Sequence, residues 1–145
     1  MNLRAASLAA TLVLVVAVVS MLVRHTLFAG NAAAIVAQVI AGALMLTARL
    51  AFGARSFHAG ANPTEGGLVT RGPYRYLRHP IYSAILLFVW AGALSHLSVL
   101  DVSVAAVASA AIAVRIGAEE RLIVERYPEY ADYAARTKRV IPFVL

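Results

Sequence analysis

Long stretches without a charged side chain constrain this chain more than any other feature of its sequence. Ala5 to Val23 is the first such stretch, and Thr26 to Ala48 is the second. About 20 apolar residues, each rising 1.5 Å along a helix, cross a hydrocarbon core of about 30 Å, so each stretch predicts a membrane-spanning helix. Hydrophobic residues make up 61% of the chain and charged residues 14%. This balance favours a membrane protein over the alternative, a soluble all-α protein with a very apolar core.

Two shorter apolar stretches follow in the second half of the chain. Pro80 suits the first turn of a helix, and Ser98 or Asp101 suits the N-cap position of the next one. These signals predict a third helix over 80–97 and a fourth over 101–126, the fourth extending past the membrane. The predicted fold class is therefore all-α, a polytopic membrane protein with about four transmembrane helices and a cytoplasmic C-terminal helical segment.

The chain is predicted to form a single domain over 1–145. Two N-terminal membrane helices occupy 1–48, and a loop with several Arg, Gly and Pro residues occupies 49–80. Because connections longer than about 12–15 residues are usually functional in compact domains, this loop is a candidate functional segment. A helical hairpin that extends into the cytoplasm follows over 80–126. A short helix and a tail complete the chain over 127–145.

Basic side chains gather on one side of the predicted membrane. With four spans, the N-terminus, the 49–80 loop and the C-terminal segment share that side, which carries eleven Lys and Arg residues: Arg4, Arg55, Arg71, Arg75, Arg78, Arg115, Arg121, Arg126, Arg136, Lys138 and Arg139. The opposite side carries Arg24. The positive-inside rule places the more basic side in the cytoplasm. The net charge of +6 thus reflects topology and contacts with membrane lipids, and no nucleic-acid partner is expected.

The sequence also limits the chemistry that the chain can perform. It contains no cysteine, which excludes disulfides, thiolate metal sites and cysteine nucleophiles. The four histidines show neither HxxxH nor HExxH spacing, so no metal site is predicted from His25, His58, His79 and His96. No GxGxxG motif occurs, so a Rossmann-type cofactor site is not expected.

Two polar segments, 71–82 and 115–133, lie on the predicted cytoplasmic side. Both directly flank the hairpin of the third and fourth helices, so their membrane-proximal ends are expected to lie close together. Arg115 and Glu119 stand four residues apart on one helical face and can form an ion pair. Glu119 and the adjacent Glu120 suit an ammonium ligand; the alternative is that they balance the surrounding arginines.

The two segments together carry a family resemblance. The stretch LVTRGPYRYLRHPIYSA (68–84) is followed, one helical hairpin later, by RIGAEERLIVERYPEYADYAARTKRVIPF (115–143). This pair resembles the isoprenylcysteine carboxyl methyltransferase family of integral membrane methyltransferases, a grouping that includes phospholipid methyltransferases. The resemblance covers roughly residues 50–145. It departs from the family pattern at Ala84 and at Pro128, where glycine is common.

The resemblance implies methyl transfer from S-adenosylmethionine to a hydrophobic small-molecule or lipidated acceptor. A carboxylate, as in prenylcysteine, is the first expectation for the acceptor group, and an amine or a thiol stays open. Arg115 and Glu119 are the implied catalytic residues, and Arg115 and Tyr130 are the implied substrate-binding residues. The implied cofactor-binding residues come from both segments: Tyr76, Arg78, His79, Pro80, Tyr82, Glu119, Glu120 and Tyr127. The alternative is a non-enzymatic membrane assembly or sensor protein on the same scaffold.

Overall fold

The computed structural model of the chain describes residues 2–53 and 67–141. Within these ranges it contains five α-helices and one short 3-10 helix. The α-helices are α1 (Leu3–Val23), α2 (Ala32–Phe52), α3 (Pro80–His96), α4 (Val99–Arg126) and α5 (Tyr130–Arg136), and the 3-10 helix is Gly72–Arg75. Extended backbone pairs, in the described part of the chain, at one isolated parallel bridge between Leu77 and Lys138. The all-α prediction is confirmed for these residues.

Among the described residues, three helices are long and apolar enough to cross a membrane: α1, α2 and α4. Each of them has at least 21 residues, or about 32 Å of helix. The third predicted span, over 80–97, corresponds to α3, which has 17 residues and a length of about 26 Å. This length is less than the hydrocarbon core of about 30 Å. The described part of the chain thus has the fold of a helical membrane protein, with three full-length candidate spans and one shorter apolar helix.

The helix boundaries follow local capping signals rather than the edges of the uncharged stretches. Asn31 caps α2, because its side chain accepts a hydrogen bond from the backbone N–H of Ala34 at 3.0 Å. The residues before this cap, within the second uncharged stretch, therefore form the α1–α2 connection. At its other end α2 continues through Arg49 to Phe52, into the segment predicted as loop. Residues 54–66 of that predicted loop lie outside the described residues.

Asp101 lies in the first turn of α4, and its side chain binds residues of the α1–α2 connection. Ser98 occupies the N-cap position of α4, but its side chain makes no capping hydrogen bond. Asp101 is fully buried, and its Oδ1 accepts from Arg24 at 2.6 Å and from the hydroxyl of Thr26 at 2.7 Å. The basic residue on the predicted outer side thus has a specific acidic partner.

The helices pack in the spatial order α1, α4, α3, α2. α1 packs on α4, α4 on α3, and α3 on α2. Small residues line the α1–α4 contact and allow close approach of the backbones, as is usual between membrane helices. The buried face of α1 consists of Ser7, Ala10, Leu14, Ala17 and Met21, and the facing part of the core from α4 includes Ala105, Ala108, Ala111 and Ile112.

The α1–α2 connection is held by side chain and backbone contacts from α2 and α3. The Gln38 amide donates to the carbonyl oxygens of Leu27 at 2.8 Å and Phe88 at 3.1 Å, and its Oε1 accepts from the N–H of Ala29 at 3.0 Å. Gly92 of α3 lies directly against this connection, where a Cβ would stand 2.3 Å from the carbonyl oxygen of Leu27. The connection is therefore a fixed part of the fold.

Candidate functional site

The polar ends of α3 and α4 meet at one end of the helix bundle. Glu119 lies twenty residues after Val99, which is about 30 Å along α4 and equals the thickness of a hydrocarbon core. Pro80 begins α3 at the same end. The side chains that gather here are called the polar cluster: Thr11, Arg78, His79, Tyr82, Arg115, Glu119, Glu120, Tyr130 and Arg139.

One half of the polar cluster is built around Tyr82 of α3. Its hydroxyl donates to Oε1 of Glu119 at 2.5 Å and accepts from Nε of Arg115 at 2.6 Å. Arg115 also pairs with Glu119, with 3.0 Å between Nη2 and Oε1, as the four-residue spacing predicts. The guanidinium of Arg115 lies 5.6 Å from the centre of the Tyr82 ring. A hydroxyl held between a cation and an anion has its proton directed at the carboxylate.

The other half of the cluster is built around Glu120. Its Oε1 accepts from Arg78 at 3.1 Å and from the Tyr130 hydroxyl at 3.2 Å, and it lies 3.3 Å from Nε2 of His79. Its Oε2 accepts from Arg139, at 3.1 Å from Nε and 3.0 Å from Nη2. Arg78 is 12% exposed and Arg139 is 56% exposed, so Glu120 has one buried and one solvent-exposed cationic partner.

His79 connects the two carboxylates of the cluster. It occupies the N-cap position of α3, is buried, and stacks on the Tyr82 ring with 5.8 Å between ring centres. Besides its contact with Glu120, its Nδ1 lies 3.8 Å from Oε2 of Glu119. Pro80 follows at the first helical position, where its missing N–H costs no hydrogen bond. The His-Pro pair therefore sets both the start of α3 and the position of the imidazole.

Arg78 holds the end of α5 as well as Glu120. Its Nη1 donates to the carbonyl oxygens of Ala134 at 2.5 Å and Thr137 at 2.9 Å, which are acceptors that the end of α5 leaves without helical partners. The neighbouring backbone pairs with the segment after α5, because the N–H of Arg78 donates to Lys138 at 2.6 Å. The segment after α5 therefore packs against the cluster and covers one side of it.

Burial raises the pKa of three tyrosines outside the membrane-spanning helices. Desolvation is the largest cause for Tyr74, Tyr130 and Tyr133, and the negative charge of Glu120 raises the pKa of Tyr130 further. The pKa of Tyr133 rises to about 12. Its hydroxyl donates to the carbonyl oxygen of Tyr74 at 2.8 Å, which ties α5 to the 3-10 helix. These phenols remain protonated at neutral pH and act as hydrogen-bond donors.

The structure brings most of the predicted site residues together and leaves two at the periphery. The side chain of Tyr76 is 66% exposed. Tyr127 is the C-cap of α4, and the guanidinium of Arg126 lies 5.9 Å from the centre of its ring. The two departures from the family pattern lie in different surroundings. Ala84 is buried within α3, and Pro128 is exposed just before α5.

Three residues of this region did not emerge from the sequence as site residues: Thr11, Arg139 and Tyr133. Arg139 entered the sequence argument as one of many basic residues, and its pairing with Glu120 depends on the return of the chain after α5. Thr11 lies in α1, and its hydroxyl accepts a hydrogen bond from Nη1 of Arg115. A single threonine in an apolar helix carries no signal for this contact, because it spans more than one hundred residues of sequence.

The described residues define a class of protein, a helical membrane protein with a charged cluster at one end of the helix bundle. The chain belongs to the phospholipid methyltransferase family, whose family model matches residues 31–130. This confirms the family that the two motif segments predicted. The matched range includes α2, α3 and α4, and α1 lies outside it. The family is described as one of methyltransferases.

Two relatives are named as metal-resistance proteins. The chain is 38% identical over 80 residues to the cobalt-zinc-cadmium resistance protein CzcN of Cupriavidus metallidurans, and the match covers 52% of the chain and 35% of that protein. It is 35% identical over 89 residues to the nickel-cobalt-cadmium resistance protein NccN of Alcaligenes xylosoxydans xylosoxydans, and that match covers 58% of the chain and 39% of the relative. The chain thus spans less than half the length of these relatives. No solved structure gives a significant match.

Proposed function

We propose that the chain is an S-adenosylmethionine-dependent methyltransferase that acts on a hydrophobic or lipid-like acceptor in the membrane. The observation that carries this proposal is the pair of adjacent carboxylates, Glu119 and Glu120, held by residues of the other motif segment at the membrane edge. Family membership supports methyl transfer as the reaction. S-adenosylmethionine, when bound, supplies a methyl group activated by a sulfonium.

The polar cluster has the groups that the amino-acid end of this cofactor needs. An ammonium group requires an accessible carboxylate, and Oε2 of Glu120 faces the exposed Arg139. An exposed guanidinium is a weakly held partner, because water competes for both charges, so an incoming ammonium can take its place. A cofactor carboxylate requires a cation, and a released Arg139 can supply it. Arg78 is less available for this role because it also holds the end of α5.

The half of the cluster that is built around Tyr82 is proposed to serve the acceptor. Arg115 and Tyr82 lie deeper along their helices than Glu120, on the side from which a lipid-like acceptor would approach. A carboxylate acceptor would be oriented by the cation of Arg115. An amine acceptor must first lose a proton, and the Tyr82 hydroxyl, whose own proton is directed at Glu119, offers a path for it. The resemblance favours a carboxylate, and the family description names phospholipids.

We further propose that the cluster faces the cytoplasm, together with the N-terminus, the loop after α2 and the C-terminal segment. Support comes from the concentration of Lys and Arg on this side and from the placement of Arg24 at the other end of α1. The cytoplasm is also where a charged, water-soluble methyl donor is available. Membrane lipids would then contact the exposed apolar faces of α1 and α2.

The first test is binding of S-adenosylhomocysteine, the demethylated cofactor, to the purified chain in detergent by calorimetry. We expect Glu120→Gln to weaken binding about ten-fold or more, the change expected for loss of a charge-assisted hydrogen bond. Glu125→Gln is the matched control, since Glu125 is an exposed carboxylate on the same helix. Absence of binding by the unaltered chain, or equal loss in both variants, would refute the proposal.

A radiolabelled methyl donor then identifies the acceptor class. Membrane lipid extract, a prenylcysteine and a long-chain thiol are supplied separately to the chain in lipid vesicles. Label that enters an aminophospholipid supports an amine acceptor, and label that enters a base-labile ester supports a carboxylate acceptor. His79→Ala is expected to abolish labelling of whichever acceptor is used.

A non-enzymatic role in metal resistance is the second candidate, favoured by the names of the two relatives. Such a role does not require the carboxylates to bind a cofactor. If cells that depend on the chain for metal tolerance keep that tolerance with Glu120→Gln while the variant binds no S-adenosylhomocysteine, the non-enzymatic candidate is favoured. Parallel loss of tolerance and binding favours the methyltransferase.

A further inference from the structure

Thr11 of α1 reaches the polar cluster from a helix outside the family match. Its hydroxyl donates to the carbonyl oxygen of Ser7, one turn earlier, at 2.8 Å. With its proton used in that way, the oxygen is oriented as an acceptor, and Nη1 of Arg115 donates to it. Leu12, the next residue of α1, is 65% exposed to the surroundings of the bundle. Thr11 therefore lies at the boundary between the cluster and the lipid-facing surface.

The contact adds α1 to the helices that hold the Arg115 guanidinium. Its three nitrogens bind groups on three different helices: Nε the hydroxyl of Tyr82 on α3, Nη2 the carboxylate of Glu119 on α4, and Nη1 the hydroxyl of Thr11 on α1. Arg115 is 6% exposed. Because a buried guanidinium needs hydrogen-bond acceptors, the contact with Thr11 contributes to the orientation of the planar group.

The orientation of Arg115 in turn sets the hydrogen-bond direction of Tyr82. Because Nε donates to the phenol oxygen, the phenol proton is directed away from Arg115 and toward Glu119. Rotation of the guanidinium would release the phenol from this arrangement. The Thr11 hydroxyl thus contacts Arg115 directly and affects the Tyr82 hydroxyl through Arg115.

We infer that Thr11 is a positioning residue that holds Arg115, and through it Tyr82 and Glu119, in the arrangement used for methyl transfer. This inference rests on the proposed function and adds α1 to the site. It assigns the half of the cluster around Tyr82 to α1, α3 and α4, and the family-matched range contains α3 and α4. Thr11 itself touches neither cofactor nor acceptor in this assignment.

The test compares Thr11→Val, which keeps the shape but removes the hydroxyl, with Thr11→Ser, which keeps the hydroxyl. Thr47→Val is the control, because Thr47 is exposed on α2 and its hydroxyl donates to carbonyl oxygens of its own helix, to Ala43 at 2.9 Å and to Leu44 at 3.1 Å. The first readout is the Nε–H nuclear magnetic resonance signal of Arg115 in detergent, assigned with Arg115→Lys. It should shift in Thr11→Val and stay in place in Thr11→Ser and Thr47→Val.

The second readout is methyl transfer to the acceptor found by the labelling screen. We expect Thr11→Val to lower the turnover number about ten-fold, as for loss of one hydrogen bond to a charged group, while Thr11→Ser restores it. Unchanged Arg115 signal in Thr11→Val overturns the inference, and so does a shifted signal with unchanged turnover, which marks a purely structural contact. If the unaltered chain transfers no methyl group, the proposed function fails, and the resonance readout alone decides whether Thr11 holds Arg115.

Discussion

The contact between Gly92 and the α1–α2 connection gives the sharpest prediction about stability. A Cβ added at Gly92 would lie 2.3 Å from the carbonyl oxygen of Leu27 and 2.9 Å from that of Thr26. Ordinary contact begins near 3.4 Å, so the backbone of the connection must move by about 1 Å. That movement lengthens the hydrogen bond from Gln38 to Leu27, now 2.8 Å.

The magnitude follows from the terms involved. Overpacking of a fixed backbone costs about 1–3 kcal/mol, and a weakened hydrogen bond adds about 1 kcal/mol. Replacement of a helical glycine by alanine returns about 1 kcal/mol through helix propensity. We therefore expect Gly92→Ala to lower the free energy of unfolding by about 1–3 kcal/mol. Gly42→Ala, where nothing lies within 4 Å of the added Cβ, should raise it by up to about 1 kcal/mol.

The assay is thermal or denaturant unfolding in detergent, followed by the fluorescence of Trp90, the single tryptophan of the chain. Trp90 donates to the hydroxyl of Ser109 at 3.0 Å, so its environment reports separation of α3 from α4. Gly92 lies ten residues from Tyr82, or about 15 Å along α3, and S-adenosylhomocysteine affinity of the folded protein should not change. Equal stability of Gly92→Ala and the unaltered chain would show that the connection does not pack on α3 as described.

Three further predictions address the connection, the α5 region and the topology. Gln38→Leu removes three hydrogen bonds to backbone groups and should lower the free energy of unfolding by about 2 kcal/mol, whereas no change in the unfolding midpoint would argue against this clamp. The pKa of Tyr133 is raised from 10.0 to about 12 in the folded chain, so stability is full below about pH 10 and declines as pH rises through about pH 12. Tyr133→Phe should flatten this decline in unfolding curves recorded over that range, and an unaltered slope would exclude Tyr133 as a source. Because the chain has no cysteine, Val99→Cys and Lys138→Cys can each be labelled uniquely with an impermeant maleimide. Intact cells should label the first variant, and the second should require permeabilisation; the reverse pattern would invert the proposed topology.

The sequence was sufficient for the features that depend on local pattern. Uncharged length predicted α1 and α2 as spans, and capping signals predicted the fourth helix, which is also long and apolar enough to cross a membrane. The four-residue spacing of Arg115 and Glu119 predicted an ion pair that is present. The meeting of the two motif segments also followed, because both flank the same short hairpin. These inferences need only helix geometry and the thickness of a membrane.

Contacts between distant segments were beyond such reasoning. The sequence suggested Arg78 as a cofactor ligand, but could not show that its guanidinium also binds carbonyl oxygens at the end of α5. The same holds for Arg139 and for Thr11, whose partners Glu120 and Arg115 both lie on α4. Hydropathy specifies which helix faces meet lipid, whereas the rotation that brings one hydroxyl to one guanidinium depends on packing across the whole α1–α4 interface.

The parallel pairing of Leu77 with Lys138 has a consequence for how the chain settles in the membrane. The paired segments lie at the two ends of the α3–α4 hairpin, one before α3 and one after α5. Three backbone hydrogen bonds join them: Lys138 to Tyr76 at 2.9 Å, Arg78 to Lys138 at 2.6 Å, and His79 to Arg139 at 3.0 Å.

A slip of α4 past α3 by one turn moves the far segment by about 5.4 Å, which breaks all three bonds at once. Hydrophobic faces built from Ala, Val and Leu tolerate such a slip, because one turn replaces an apolar residue with another. The backbone pairing beyond the helix ends therefore resists sliding of α4 along α3. Together with the hydrogen bond from Trp90 of α3 to Ser109 of α4, at 3.0 Å, it holds the hairpin at one register.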